Sequence, residues 1–102
     1  MKLKYKNTTL EVTQTYNKHI MRYKFQKLYY AIIIYDCNRY SSIASKQRTD
    51  IVMVDKDFNI LSFLLDMHEN TVYENNKANH TILLPLNTIK ELEINTKFNI
   101  IT

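Results

Sequence analysis

Asp55-Lys56-Asp57-Phe58-Asn59 places oxygen-bearing side chains at alternate positions, as a calcium loop does, and Asp66 falls where the twelfth position of such a loop would be. The rest of the stretch denies that reading. The sixth position, where the loop bends sharply and normally uses Gly, is Ile60, and Leu61 to Leu65 is almost entirely apolar. A calcium loop of this kind also sits between helices, whereas Ile51 to Val54 and Ile60 to Leu65 have strand composition. The acidic pair is read as the turn of a hairpin.

Other candidate chemistry is sparse. His19, His68 and His80 share no metal-ligand spacing and Cys37 has no near partner, so neither a metal nor a cofactor is expected. A chain with no Gly cannot build a Gly-rich phosphate loop or the usual nucleophile elbow. His68-Glu69 pairs a donor with a carboxylate in sequence, but neighbouring strand residues face opposite ways. One polar cluster stands out: Ser41, Ser42 and Ser45, followed by Lys46-Gln47-Arg48-Thr49-Asp50. Small hydroxyls ahead of a basic pair can line a site for an anionic ligand. They are also the composition of a plain loop, and that reading is the commoner one.

The elements that must position these residues are mostly strands. Lys2 to Lys6 and Thr9 to Thr13 alternate about a turn at Asn7-Thr8, giving an opening hairpin. Tyr16, Ile20 and Tyr23 share one helical face, so a short amphipathic helix is expected over Tyr16 to Phe25. Tyr29 to Tyr35 is β-branched and aromatic on both faces, the mark of a buried central strand. Residues 50–54 and 60–65 pair through the Asp55 turn. His68 to His80 reads as a polar surface loop, and Thr81 to Leu84 as a strand that Pro85 ends. Thr88 to Leu92 fits one or two helical turns, with Asn87 or Thr88 as cap, and Lys97 to Ile101 closes the chain as a strand. Without Gly, the left-handed backbone positions should fall to Asn, with Asn7, Asn59, Asn76, Asn79, Asn87 and Asn95 as candidates.

The 102 residues are 45% hydrophobic, enough for one core, so a single domain over 1–102 is expected. No apolar run approaches the roughly 20 residues of a membrane-spanning helix. The basic N-terminus lacks the apolar stretch of a signal peptide, and Cys37 is the lone cysteine, which together point to a cytoplasmic protein with a buried structural thiol. Charge is uneven. Residues 1–49 hold ten of the 14 Lys and Arg and two of the ten acids, and seven of the eight Tyr. Basic residues interleaved with aromatics suit a polyanion, but alternating Lys2, Lys4 and Lys6 also describe the solvent face of a strand.

Read together, IIIYDCN, RTDIVMVDKDFNI and HTILLPLNTIKELEIN resemble the domain-of-unknown-function 192 family, also called uncharacterised protein family 0127. Tyr35, Cys37, Asn38, Asp50, Asp55, Lys56, Asp57, Pro85, Thr88 and Ile89 match its pattern, and Ile20-Met21 is similar to a further pair. Ala31, Phe58, Asn87, Glu93 and Lys97, and His19 less clearly, stand where the pattern has Gly. Ser41, Ser42, Ser45 and Leu83 replace its other polar positions. The resemblance implies a small, mostly antiparallel β barrel or sandwich with one or two short helices, in a family without an assigned activity. It also implies that the Asp55 turn is a type I turn plus bulge. A bulky Phe58 at positive φ is costly, so Asn59 is expected to take the left-handed position.

The expected function is a non-enzymatic module that binds a small molecule or a protein, as a monomer or weak dimer, with no membrane partner. Tyr35, Tyr40, Ser41, Ser42, Ser45, Arg48 and Asp50 are the candidate binding residues, with Tyr29 and Tyr30 on the same surface. Two alternatives belong to other classes. One is nucleic-acid binding by the basic half; the other is a hydrolase-like remnant pairing Asp50 with His68 or His80.

Overall fold

The structure is a computed structural model that describes residues 1–20, 27–45 and 47–102. Nine strands form: β1 Lys2–Tyr5, β2 Thr8–Tyr16, β3 Ala31–Tyr35, β4 Arg39–Ser41, β5 Thr49–Val54, β6 Ile60–Met67, β7 Val72–Glu74, β8 His80–Pro85 and β9 Asn99–Ile101. Seven of them make one curled sheet in the order β6-β5-β8-β3-β2-β1-β9, and β4 pairs with β7 in a small second sheet. β2 and β3 run parallel; the other neighbours run antiparallel. The curl brings the two ends of the sheet together at one point. Ile60 N–H donates to Thr96 O (2.8 Å), Asn95 N–H to Ile60 O (2.9 Å) and Phe98 N–H to Phe58 O (3.1 Å), which makes a partly closed barrel.

The central strands are apolar on both sides because both sides are covered. Ala31, Ile33, Val52, Val54, Ile82 and Leu84 face the barrel interior with Leu3, Tyr5, Val12 and Phe98. Ile32, Ile34, Ile51, Met53 and Leu83 face a second core, roofed by Tyr40 and Tyr73 of the small sheet and by Ile20 and Leu28. Cys37 is buried in this second core, as expected of a structural thiol. In β1 the alternation leaves Lys2 and Lys4 outside and Leu3 and Tyr5 inside.

Several expectations are corrected. Tyr16 ends β2, Asn17–His19 is a single 3-10 turn, and Ile20 is buried beyond it; the remainder of the expected helix, Met21 to Phe25, lies outside the described residues. Thr88 to Leu92 forms no helix. Asn87 at φ 62° breaks the helical path, and Ile89 is drawn into the barrel core, so five residues cannot repay the nucleation of a helix. The polar stretch from His68 to His80 contains β7, paired with β4.

Left-handed backbone is shared more widely than the Asn rule allows. Asn87 and Asn95 hold as expected, but the other described cases are Lys6, Asp36, Ala44, Phe58, Asp66 and Asn70. Side-chain acceptors explain three positions: His80 Nδ1 holds the N–H of Asp36 (3.1 Å), and the Asp50 carboxylate holds those of Asp66 (2.8 Å) and Asn87 (3.2 Å). In the opening hairpin the two-residue turn puts positive φ on its first residue, Lys6, and not on Asn7.

The Asp55 turn is corrected too. Phe58 itself sits at φ 66°, with its N–H on Asp55 O (3.0 Å), and Asn59 bridges to Lys97 instead. Asn59 is committed elsewhere, because both its amide groups donate to the Asp55 carboxylate, beside the Asp57 N–H. Although partial desolvation pushes the Asp55 carboxyl up, these bonds outweigh it and hold the group below its ordinary range.

Candidate functional site

The predicted binding residues divide by strand geometry. Tyr40 faces the second core, where burial pushes its hydroxyl up to about 12. Tyr35 ends β3 and packs toward the barrel interior, Tyr30 leans on the second core, and Tyr29 is 78% exposed. The four tyrosines do not share a surface.

The serines are occupied by the chain itself. Ser42 Oγ lies 2.6 Å from His68 O and accepts the Thr71 N–H at 2.9 Å. Ser45 Oγ donates to Gln47 O (3.0 Å), and Ser41 Oγ accepts the Ile43 N–H (3.2 Å). The cluster is turn chemistry around Ala44, whose φ is 67°.

Of the predicted binding residues only Arg48 lines a recess; Ser45 and Asp50 do not reach it and instead hold backbone beside it. Ser45 fixes the Gln47 backbone, and the Gln47 side chain accepts the Leu28 N–H at 2.7 Å, tying residues 27–28 to the start of β5. Asp50 is 3% exposed. Its two oxygens clamp Asp66 in β6 and Asn87 just after β8, so one carboxylate fixes both flanks. Between them opens a cavity of about 510 Å³ lined by Lys27, Leu28, Gln47, Arg48, Pro85 and Leu86. Leu86 is 38% exposed there, an apolar group facing water.

Arg48 stands at the rim. Its Nη2 is 2.5 Å from Asp66 Oδ2 and 2.8 Å from His68 Nε2, a partly exposed cluster that orients the guanidinium. Leu28, Pro85 and Leu86 supply apolar wall while Lys27 and Arg48 supply positive charge, a combination fitted to a ligand with an apolar body and an acidic group.

No described hydrogen bond joins the pair that the catalytic alternative needs, because both Asp50 oxygens accept backbone N–H groups. Neither His68 nor His80 is a partner of Asp50, since His68 is engaged with Arg48 and His80 lies at the other end of β8. Among the described residues no cluster of three or more His, Cys, Asp or Glu could hold a metal ion. No helix among them is long and apolar enough to cross a membrane. The charge imbalance of the sequence is partly closed in space: Lys2 pairs with Glu11, Lys6 with Glu93, Arg39 with Glu74 and Arg48 with Asp66.

A second grouping escaped sequence reasoning. At the far end of the same strands, Tyr16, Tyr35, Phe58 and His80 bring four rings together, with centroid separations of 5.0 to 6.5 Å. Their sequence separations hide them; the signal available in advance was a tyrosine closing each of β2 and β3 and the misfit of Phe58 in its turn. Compared with protein-family models, curated proteins and solved structures, the chain matches none.

Proposed function

We propose that the protein is a non-enzymatic binding module, and that the recess beside Arg48 takes a small apolar molecule carrying a carboxylate or similar acidic group. One observation carries this reading: an apolar wall of Leu28, Pro85 and Leu86 meets the cations Lys27 and Arg48 in a cavity of about 510 Å³. A guanidinium has five donors. Among the described residues only Nη2 of Arg48 is engaged, which leaves the rest of the fork for an anion. Two further parts of the proposal rest on sequence: a cytoplasmic location, supported by the lone buried Cys37, and divergent membership of the domain-of-unknown-function 192 family. Cell fractionation tests the first. A family member with a strand order other than β6-β5-β8-β3-β2-β1-β9 would remove the second.

The binding experiment is a thermal-shift and calorimetric titration with straight-chain carboxylates of increasing length. Affinity should rise with chain length, and Arg48→Ala should weaken it at least about tenfold with an unchanged melting temperature. Leu86→Asp should abolish it. Binding that ignores both substitutions, or no saturable binding across the series, overturns the reading.

A further inference from the structure

The four rings at the far end form one contiguous cluster. Along the sheet the neighbours are β2, β3, β8 and β5, and each supplies one ring at the same end. Tyr16 and Tyr35 are direct register partners on β2 and β3. His80 opens β8 and is paired with Val54, the last residue of β5, and Phe58 stands in the turn that follows β5. Tyr35, His80 and Phe58 touch one another, at centroid separations of 5.0, 5.4 and 6.5 Å, and Tyr16 extends the cluster from Tyr35 at 5.9 Å.

Three features distinguish this cluster from an ordinary core plug. First, the core beneath is already sealed by Ala31, Ile33, Val54 and Ile82, all at 0% exposure, whereas Tyr16 is 53% exposed and the other rings are half-buried. Second, two left-handed residues converge on His80: Asp36, at φ 52°, gives its N–H to Nδ1, and Phe58, at φ 66°, stacks its ring at 5.4 Å and 24°. Left-handed backbone costs a residue other than Gly about 1 to 2 kcal/mol, and strain of this kind collects at binding sites. Third, Nδ1 accepts a hydrogen bond, so the neutral imidazole carries its proton on Nε2, a donor aimed away from Asp36. Burial, with Tyr16 adding to it, pushes the Tyr35 hydroxyl up, which keeps it a neutral donor and acceptor.

Charge decides the class of ligand. Charges of both signs flank the rings, Lys18, Lys56, Lys77 and, through its bridge to Asn59, Lys97 against Asp36, Asp55 and Asp57, an excess of one. A polyanion needs a strongly positive surface, so stacked bases on a phosphate chain are not favoured. What fits is a neutral ring with one C–H face and a rim of groups that donate and accept at once. We propose that the Tyr16–Tyr35–His80–Phe58 cluster is a carbohydrate-binding site, on which a neutral sugar ring lays its C–H face against the exposed Tyr16 ring and turns its hydroxyls to Tyr35 and His80. This site is independent of the Arg48 recess, since the two lie at opposite ends of β5 and β8.

The test is a calorimetric and tyrosine-fluorescence titration with neutral oligosaccharides built on glucose, mannose and N-acetylglucosamine, beside adenosine and a single-stranded ten-nucleotide DNA. At least one neutral sugar should bind saturably and insensitively to salt. Tyr16→Ala, an exposed change that leaves the core intact, should weaken that binding at least about tenfold without altering the melting temperature. Arg48→Ala should leave it unchanged. The proposal is overturned if no neutral sugar binds, if Tyr16→Ala leaves the affinity as it was, or if adenosine or the oligonucleotide binds the same rings more tightly.

Discussion

The β5–β8 ladder ends differently at its two extremities. Where Thr49 pairs with Pro85, the chain gathers Arg48, Asp50, Asp66, His68 and the serines; where Val54 pairs with His80, it gathers aromatic rings. The charged end is built from hydrogen bonds between side chains and backbone of residues 41–50 and residues 66–71, with one buried carboxylate reaching Asn87 as well. The aromatic end is assembled from four distant segments and held by backbone strain. Polar groups brought together by the fold are therefore consumed by one another and by backbone, while the aromatic end leaves the Tyr16 ring exposed.

The sharpest way to break this contrast is at Asp50. Asp50→Ala orphans the Asp66 and Asn87 N–H groups and should cost about 2 to 4 kcal/mol in denaturant unfolding, with the recess lost and the aromatic end intact. Asp50→Asn, which keeps one acceptor, should cost about half. Equal losses at both ends would mean the two are one cooperative structure.

Next in size is Tyr40, under the charged end. With a folded pKa of about 12 against an ordinary 10, its neutral phenol is favoured by folding; the associated stability, about 3 kcal/mol, is fully present below pH 10 and lost as pH rises toward 12. Alkaline unfolding followed at 295 nm should show this step, and Tyr40→Phe should remove it.

At the aromatic end the usual order of substitutions should invert. Phe58→Ala keeps the left-handed strain and loses the ring, whereas Phe58→Gly loses the ring and the strain, so Gly should be the more stable of the two by about 1 kcal/mol. Ala more stable than Gly would remove strain as a property of this turn. The smallest effect belongs to Arg48→Ala, whose exposed pairing should contribute less than about 1 kcal/mol to melting.

The barrel was legible where periodicity is strong. The alternation of Lys2 to Tyr5, the two-faced apolar run before Tyr35 and the pair around Asp55 are each dictated by what lies on either side of a strand. The segment after Pro85 was not, because a capping pattern cannot weigh the demand of the core for Ile89. Nor was the holder of the left-handed turn position: Asn59 has the better intrinsic tolerance, but the hairpin register and the packing of Phe58 on His80 override it. Of the residues named from sequence, Arg48 lines the recess, whereas Asp50, expected to bind ligand, is buried and spent on backbone; Leu28 and Leu86 lie too far away in sequence to have suggested an apolar wall.

The closure of the barrel carries a dynamic consequence. Its seam rests on a few backbone bonds between Phe58–Ile60 and Asn95–Phe98, while β3, β5 and β8 are flanked on both edges and covered on both faces. Hydrogen exchange should therefore separate the molecule into two tiers. The amides of Ile33, Val52 and Ile82 should exchange only through global unfolding, and those of Asn95 and Phe98 through a cheaper local opening. The interior would then meet water by way of its seam, loosening Phe58 at the aromatic end while the charged end still stands.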